Sequence, residues 1–556
     1  ANTTASNNTA IGHDALSANT TGASNTAVGT SAGDAVTTGA YNTMIGKDAG
    51  GATTTADGNV VVGESAFLVN TTGAANVAIG ANSLGSNTTA SNNIAVGKTA
   101  LYANTTGAEN TSVGDASSDA NTTGSYNTAL GRNSLGGNTT ASHNTAIGRL
   151  AMLTNSTGAS NTAVGSGALQ GNTTAANNTA VGANALVANT TGTTNTAVGA
   201  LALDANTTAS YNTALGYAAL STNITGAQNT AVGYSALTLA TGADNTAVGS
   251  QALASVAAGT YNTALGRSAG QAVTTGVQNT FIGGLCGDAI TVGVNNVALG
   301  YNSLSTNILS HNNVAIGHSA LNAHDVASAA SGYNTAVGAS AGVAMTTGTA
   351  NTLIGGEAGN AITEATANTF IGFNTGTYGV DHTTGDSNTL IGAYCDTTAA
   401  DATSAMCLGY NLDAAGGYTT LGSSGSDIRA AHGNITWATV SDQRYKKDIV
   451  DSTAGLAFVN ALQPRTFKYK TLGELPTAFR AYEADSTEVF KNSDTNHGFI
   501  AQEVKAAIDA DSSIKDGFRL WDDRDDGSQE VAEAALIPIL VKAIQEQNAL
   551  IESLTA

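Results

Sequence analysis

The string Asn-Thr-Ala-(Val/Ile/Leu)-Gly recurs every seventeen residues, and this step restricts the chain to folds made by stacking one small unit. It begins at Asn8, Asn25, Asn42, Asn59, Asn76, Asn93 and Asn110. The step holds through Asn229, slips by one residue to Asn245, and resumes to Asn313. Twenty-three Asn-headed units run as far as Asn388, and two degenerate ones follow at Ala405 and Tyr418. Longer steps at Asn313–Asn334 and Asn368–Asn388 place extra residues in loops. A fixed period near twenty residues marks a solenoid.

Within a unit the fourth position is Val, Ile or Leu (Ile11, Val28, Ile45), and the ninth is often Leu (Leu16, Leu84, Leu101) or Gly (Gly33, Gly50). Thr-Ala-Val before Gly predicts a short strand. Gly12 and its equivalents supply one corner, and the Asn19 to Gly22 stretch a second. No ten-residue window has helical periodicity. Each unit is therefore expected to be one rung of a parallel β-roll with two short strands. One or two aliphatic side chains per rung make a thin core. Burying each stabilises by roughly 1.5–3 kcal/mol, whereas ordering each residue's backbone costs about 1–2 kcal/mol. Pooling three rolls about one axis adds burial, and rungs in register can form Asn and Thr ladders.

Composition excludes several classes. The net charge is −21, so a phosphate backbone is a poor partner and no nucleic acid is expected. No segment reaches eighteen apolar residues, so no membrane insertion is expected. Cys286, Cys395 and Cys407 lack metal-ligand spacing and read as buried small hydrophobes. The Asp522 to Gly527 stretch, followed by Glu533, is similar to a calcium loop, but Arg524 stands where an oxygen ligand is needed. No metal and no cofactor are expected. The Asn-x-Thr triplets read as repeat corners. The chain starts in mid-repeat, which suggests the distal piece of a longer protein.

A composition border falls at Val440–Ser441. Upstream lie no proline and only six Lys or Arg; downstream lie Pro464, Pro476, Pro538 and the remaining thirteen Lys or Arg. Ser441 and Lys446 can be read as a nucleophile and its base. A serine hydroxyl needs a base, and a lysine can serve when burial leaves its amine neutral. Near the C-terminus, Ile537, Leu540, Ile544, Gln547, Ile551 and Leu554 fall at alternating three- and four-residue steps. This is the seam of a parallel three-stranded coiled coil, or else the face of a helix packed on its own domain. Pro538 suits the helix's first turn.

Four ordered blocks give the border its meaning. They are Ser-Asp-x-Arg-x-Lys-x-x-Ile from Ser441, Leu462 to Lys470, His497 to Val504, and Leu536 to Gln547. Together they resemble the endosialidase-type intramolecular chaperone domain that ends many phage tail fibres and tailspikes. The resemblance implies a domain that trimerises the fibre and then cuts the chain before the serine. Carried over, Ser441 is the nucleophile, Lys446 the base, and Val440–Ser441 the scissile bond. His497 is a lesser candidate assistant. The repeats are similar to the β-roll heads of trimeric autotransporter adhesins, with a period a few residues longer.

The expected fold is mainly β: a trimeric parallel β-roll or β-solenoid shaft over 1–422, a connector at 423–440, and a small α/β chaperone domain at 441–556. That domain is expected to end in a coiled-coil helix at 530–554. The expected function is a homotrimeric tail fibre on a virion, with a single-turnover self-cleaving serine peptidase at its C-terminus. Its partners are its own copies and a host cell-surface receptor, a glycan or an outer-membrane component. A bacterial cell-surface trimeric adhesin is the alternative, and an ice-binding solenoid a minor one. The ice-binding reading needs threonines two apart on a strand.

Overall fold

Each repeat forms one three-residue strand, from Thr9–Ile11 to Thr389–Ile391, and each strand pairs in parallel with that of the next repeat. The computed structural model describes residues 3–326, 330–424, 426–433, 438–439, 443–479, 481–512, 514, 520–523 and 528–555. It divides into two units, Ala1–Val440 and Ser441–Ala556.

Pairing in the first unit joins like positions, as in Thr162↔Thr179, Ala163↔Ala180 and Val164↔Val181. The short step (Thr230↔Thr246) and the long ones (Val314↔Thr335, Thr369↔Thr389) leave this register intact. Missing or added residues are therefore taken up outside the strand. The sheet does not stop at residue 422. Tyr418–Ser423 pairs in parallel with Met406–Tyr410 and antiparallel with Ser426–Ala431, which pairs in turn with Ala438–Thr439. Much of the expected connector thus closes the sheet's edge.

Two expectations fail on the far side of the rung. Among the described residues a second strand forms there only in the last rungs, where Asp396–Thr397 pairs in parallel with Asp413–Ala414; elsewhere a run of turns replaces it. Positions seven and nine are left-handed even when not glycine, as at Asn184 (φ 56°) and Leu186 (φ 52°). Hydrogen bonds to the next rung still form, for example Leu186 N to Ala202 O at 3.0 Å. These bonds offset a backbone that costs about 1–2 kcal/mol per left-handed residue. The fifth-position glycine is obligatory. Gly182 has φ 138°, and a Cβ there would lie 2.5 Å from the carbonyl carbon of Gly199.

The second failure concerns the core. The strand's central residue, usually alanine, points inward and is sealed, as at Ala163, Ala180 and Ala197. Its neighbours at positions two and four face outward. The fourth-position aliphatics are half-buried or exposed, with Leu130, Leu215 and Leu265 nearly half open. The outward face pairs each threonine with an aliphatic side chain two residues on, not with a second threonine.

Inside, volume is conserved by compensation. Where position nine is leucine, position three is small, as with Ala180 between Leu169 and Leu186. At Met44, Phe281 and Leu353 position three is large, and position nine is glycine both in its own rung and in the one before, as with Met44 between Gly33 and Gly50. A Cβ on Gly270 or Gly287 would lie 2.6 or 2.4 Å from the Phe281 ring. Leu353 sits likewise between Gly342 and Gly359. Close packing is kept because volume added at one position is removed from the positions that face it.

Much of the rest of the core is polar and laddered by hydrogen bonds. Asn178 is buried: its backbone N–H donates to Asn161 Oδ1 at 2.9 Å, and its Nδ2 donates to Gly192 O at 2.9 Å. Repeated along the unit, these bonds make a ladder that ties the strand to the opposite corner. A second ladder runs through position twelve, with Asn189 Nδ2 donating to Asn172 Oδ1 at 3.1 Å. The corner threonines add a third, as Thr190 Oγ1 donates to Thr207 O at 3.0 Å. Cys286 is buried, and burial pushes its thiol up to about 12.

The second unit has an ordinary small core. Its helices are α1 (Leu456–Ala461), α2 (Ala501–Ala510) and α3 (Leu536–Thr555). Phe458, Val504, Ile508, Leu520, Leu536 and Ile539 pack together. Two ribbons flank them, Arg465–Phe467 with Asn496–Gly498 and Trp521–Asp523 with Gln529–Val531. The last strand corrects the expected helix start at 530. Residues 529–531 are committed to a strand, and the helix begins at Leu536, so that Pro538 lies in its first turn where no N–H is needed.

Candidate functional site

The sequence points to two places, the border dyad and the helical seam. Val440 and Ser441 lie outside the described residues, and of the dyad only Lys446 is described. Gln443–Tyr445 forms a single 3-10 turn. Lys446 follows it, its backbone N–H donating to Gln443 O at 3.0 Å, and its side chain is exposed.

The seam is better defined. α3 packs on its own unit through Leu536, Ile539 and Ala543. Glu546, one turn on, accepts the backbone N–H of Leu456 at 2.8 Å and so satisfies the first amide of α1. Ile537, Leu540, Ile544, Gln547, Ile551 and Leu554 are all exposed. The helix therefore packs on its own unit through a different face and leaves the six seam positions open. The inner face also has a sequence signal, the spacing of three and then four residues from Leu536 through Ile539 to Ala543.

His497 is exposed on its ribbon, facing Thr466 across the strand pair, with Nδ1 3.4 Å from Thr466 Oγ1. Arg465 holds Glu503 in a two-pronged ion pair at 2.9 and 2.6 Å, and this guanidinium draws the Glu503 carboxyl below its ordinary range. The pair links the first ribbon to α2. Of the acidic loop, residues 524–527 lie outside the described residues, and Asp522 and Asp523 belong to a strand. Among the described residues, no group of three or more His, Cys, Asp or Glu side chains is placed to hold a metal ion, and no helix is long and apolar enough to cross a membrane.

The sequence reading missed one surface. Positions two and four form an outward column from Ile11 to Leu408 that contains only Thr, Val, Ile, Leu and Met. Its signal is the alanine between them, since a residue that small marks the side where the chain closes on itself. Ile45, Leu130, Leu215, Leu265 and Leu408 on it are exposed, and a continuous apolar surface of this kind marks an interaction face.

Residues 441–511 match the family model of the chaperone of endosialidase. The match takes in the border motif and the blocks at 462–470 and 497–504, while α3 lies beyond it. No curated protein matches the chain, and no solved structure does. The chain thus carries a segment similar to the chaperone of endosialidase behind a long parallel β-solenoid, a combination that fits a tail fibre with a C-terminal chaperone domain.

Proposed function

We propose that the chain is a homotrimeric viral tail fibre whose residues 441–556 gather three copies, set their register and then cut themselves off. The carrying observation is the uncharged outward column of the solenoid, which a single chain leaves bare along its whole length. Three copies packed on that column gain the burial that a lone roll lacks. The bare seam of α3 gives the second unit a matching reason to associate.

Cleavage follows from the dyad. The Lys446 amine takes the proton of Ser441 Oγ, and Oγ attacks the carbonyl carbon of Val440. The Val440–Ser441 C–N bond breaks, its nitrogen takes the proton, and the Val440 acyl group rests on Oγ as an ester. Water hydrolyses that ester, leaving a carboxylate on Val440 and a free serine at the start of the released piece. In this reading trimer assembly comes first and the cut follows it. Once the cut is made, unfolding cannot be reversed with the chaperone's help. The cut fibre meets a host surface, through a glycan or an outer-membrane component.

The test is expression of residues 1–556. The chain should yield a long piece and a piece beginning at Ser441. Ser441→Ala and Lys446→Ala should each leave it whole and still trimeric. N-terminal sequencing that finds the same bond cut in Ser441→Ala rejects the dyad.

A further inference from the structure

The last rungs of the solenoid carry a cluster of rings unlike anything on the outward column. Phe373, Tyr378 and Tyr410 each leave half or more of their surface open. All three surround half-buried Tyr394, with ring centroids 5.6, 4.7 and 5.8 Å from its own. Phe373 and Tyr410 meet Tyr394 edge-on at 86° and 87°, and Tyr378 is tilted at 58°. Phe373 and Tyr410 occupy the sixth position of their rungs and Tyr394 the seventh, all just past the corner glycine; Phe373 and Tyr394 lie off the strand, and Tyr410 ends the strand Met406–Tyr410. Tyr378 stands on the extra residues of the long Asn368–Asn388 step.

That loop is held rigidly from below. Asp396 is buried, and its Oδ2 accepts the backbone N–H groups of Gly379 and Val380 at 2.7 and 2.9 Å. Thr377 Oγ1 donates to Asn374 Oδ1 at 2.6 Å. His382 is buried under the loop's return, edge-on to Phe370, with Nε2 2.7 Å from Gly385 O. The ring positions are therefore fixed before any ligand arrives, which limits the entropy lost on binding.

We propose that Phe373, Tyr378, Tyr394 and Tyr410 form a binding platform for a neutral glycan, with pyranose rings lying on the open aromatic faces. The proposal rests on the fibre reading, which calls for a surface ligand. The chemistry selects the ligand class. A pyranose presents a patch of C–H groups on its face and hydroxyls around its rim. The platform matches this with flat apolar faces, three phenol hydroxyls and the polar side chains of Asn374 and Asn411 at the neighbouring seventh positions. No Lys or Arg occurs between Arg267 and Arg429, whereas Asp381, Asp386, Asp401 and Asp413 lie in these rungs. That charge balance disfavours an anionic ligand. A second copy of the chain is disfavoured as occupant because the packing column is aliphatic and runs through positions two and four, whereas the rings stand at the sixth and seventh positions and on the long loop.

The test uses the fibre produced by cleavage of the full chain, applied to a printed array of neutral hexose and N-acetylhexosamine oligosaccharides. Wild type and Tyr41→Ala, an exposed ring on another column, should bind the same spots. Phe373→Ala combined with Tyr378→Ala should weaken that binding about tenfold or more, while Tyr378→Phe should retain most of it. A detergent gel of each preparation reports its trimer state. Equal binding by the double variant, or a wild-type fibre that binds no spot, overturns the platform. Loss of the trimer in the double variant reassigns the rings to chain packing and also overturns it. Ring-dependent binding by an uncut monomer upholds the platform and rejects the fibre reading.

Discussion

The solenoid and the C-terminal unit reach stability by opposite routes. In the solenoid most bonds between rungs reach one repeat along the chain, such as Asn178 to Asn161, and the core is made of alanines, single leucines and asparagine ladders. In the C-terminal unit the Leu456–Glu546 bond spans 90 residues, and the core is a single cluster of large apolar side chains around Phe458 and Leu536. Near-identical rungs extend cheaply, because each new rung repeats the last interface. For the same reason they hold register poorly between chains: a slip of one rung replaces every contact with a near copy. A non-repeating unit has no such near copy. A long repetitive shaft that associates would therefore need a unique partner to choose its alignment, and each unit leaves an apolar face open.

The strongest way to break this comparison is to remove the unique unit. A chain ending at Val440 should aggregate, because bare columns and open edges then pair without register. Sedimentation and a detergent gel measure this; soluble, detergent-resistant trimers from the truncated chain would overturn the chaperone's role. Ile544→Asp with Ile551→Asp should reproduce the truncation.

Next in size is the outward column. Val164→Asp, Val181→Asp and Val198→Asp together should abolish detergent-resistant trimers while leaving the β circular dichroism of the rungs intact. If the trimer survives three adjacent charges, the column is not its interface.

Inside the rung the effect is smaller and reversible by design. Ala180→Leu should destabilise by roughly 1–3 kcal/mol through overpacking against Leu169 and Leu186. Adding Leu169→Gly and Leu186→Gly should recover most of it, because the triple variant copies the arrangement around Leu353. Thermal melts of the cut fibre compare the three; a triple variant weaker than the single one would refute volume compensation.

The smallest effect is a local pH response. His324 takes position twelve in the rung with the long step, and burial lowers it from 6.5 to about 4, with Asp325 opposing. The unfolded chain protonates first, so the histidine's stabilising contribution declines as pH falls from about 6.5 to about 4 and is fully lost below that. At pH 6 the loss is about 1 kcal/mol or less. His324→Asn restores the residue found at position twelve of most earlier rungs. Hydrogen exchange near Asn313 and Asn334 should then respond less to acid; an unchanged response would clear His324.

Much of the architecture was legible in the residues. The seventeen-residue step determined rung length and register, because stacked strands place like residues opposite one another and even the sixteen- and twenty-one-residue steps kept that pairing. The three- and four-residue spacing from Ile537 to Leu554 determined that a helix presents those side chains on one face. The motif at Ser441 to Ile449 determined where the family match begins. Of the candidate dyad, only Lys446 has a described place.

Tertiary structure decided the rest. Alternation along Thr179-Ala180-Val181 says that positions two and four share a face, but not whether that face looks in or out. The choice came from the space left inside a closed rung, which Leu169 and Leu186 fill so completely that only alanine fits between them. Leucine, asparagine and serine all occupy the left-handed turn positions, so residue type does not announce those dihedrals. They are imposed by the bonds each turn makes to the next rung, which exist only once the rungs are stacked.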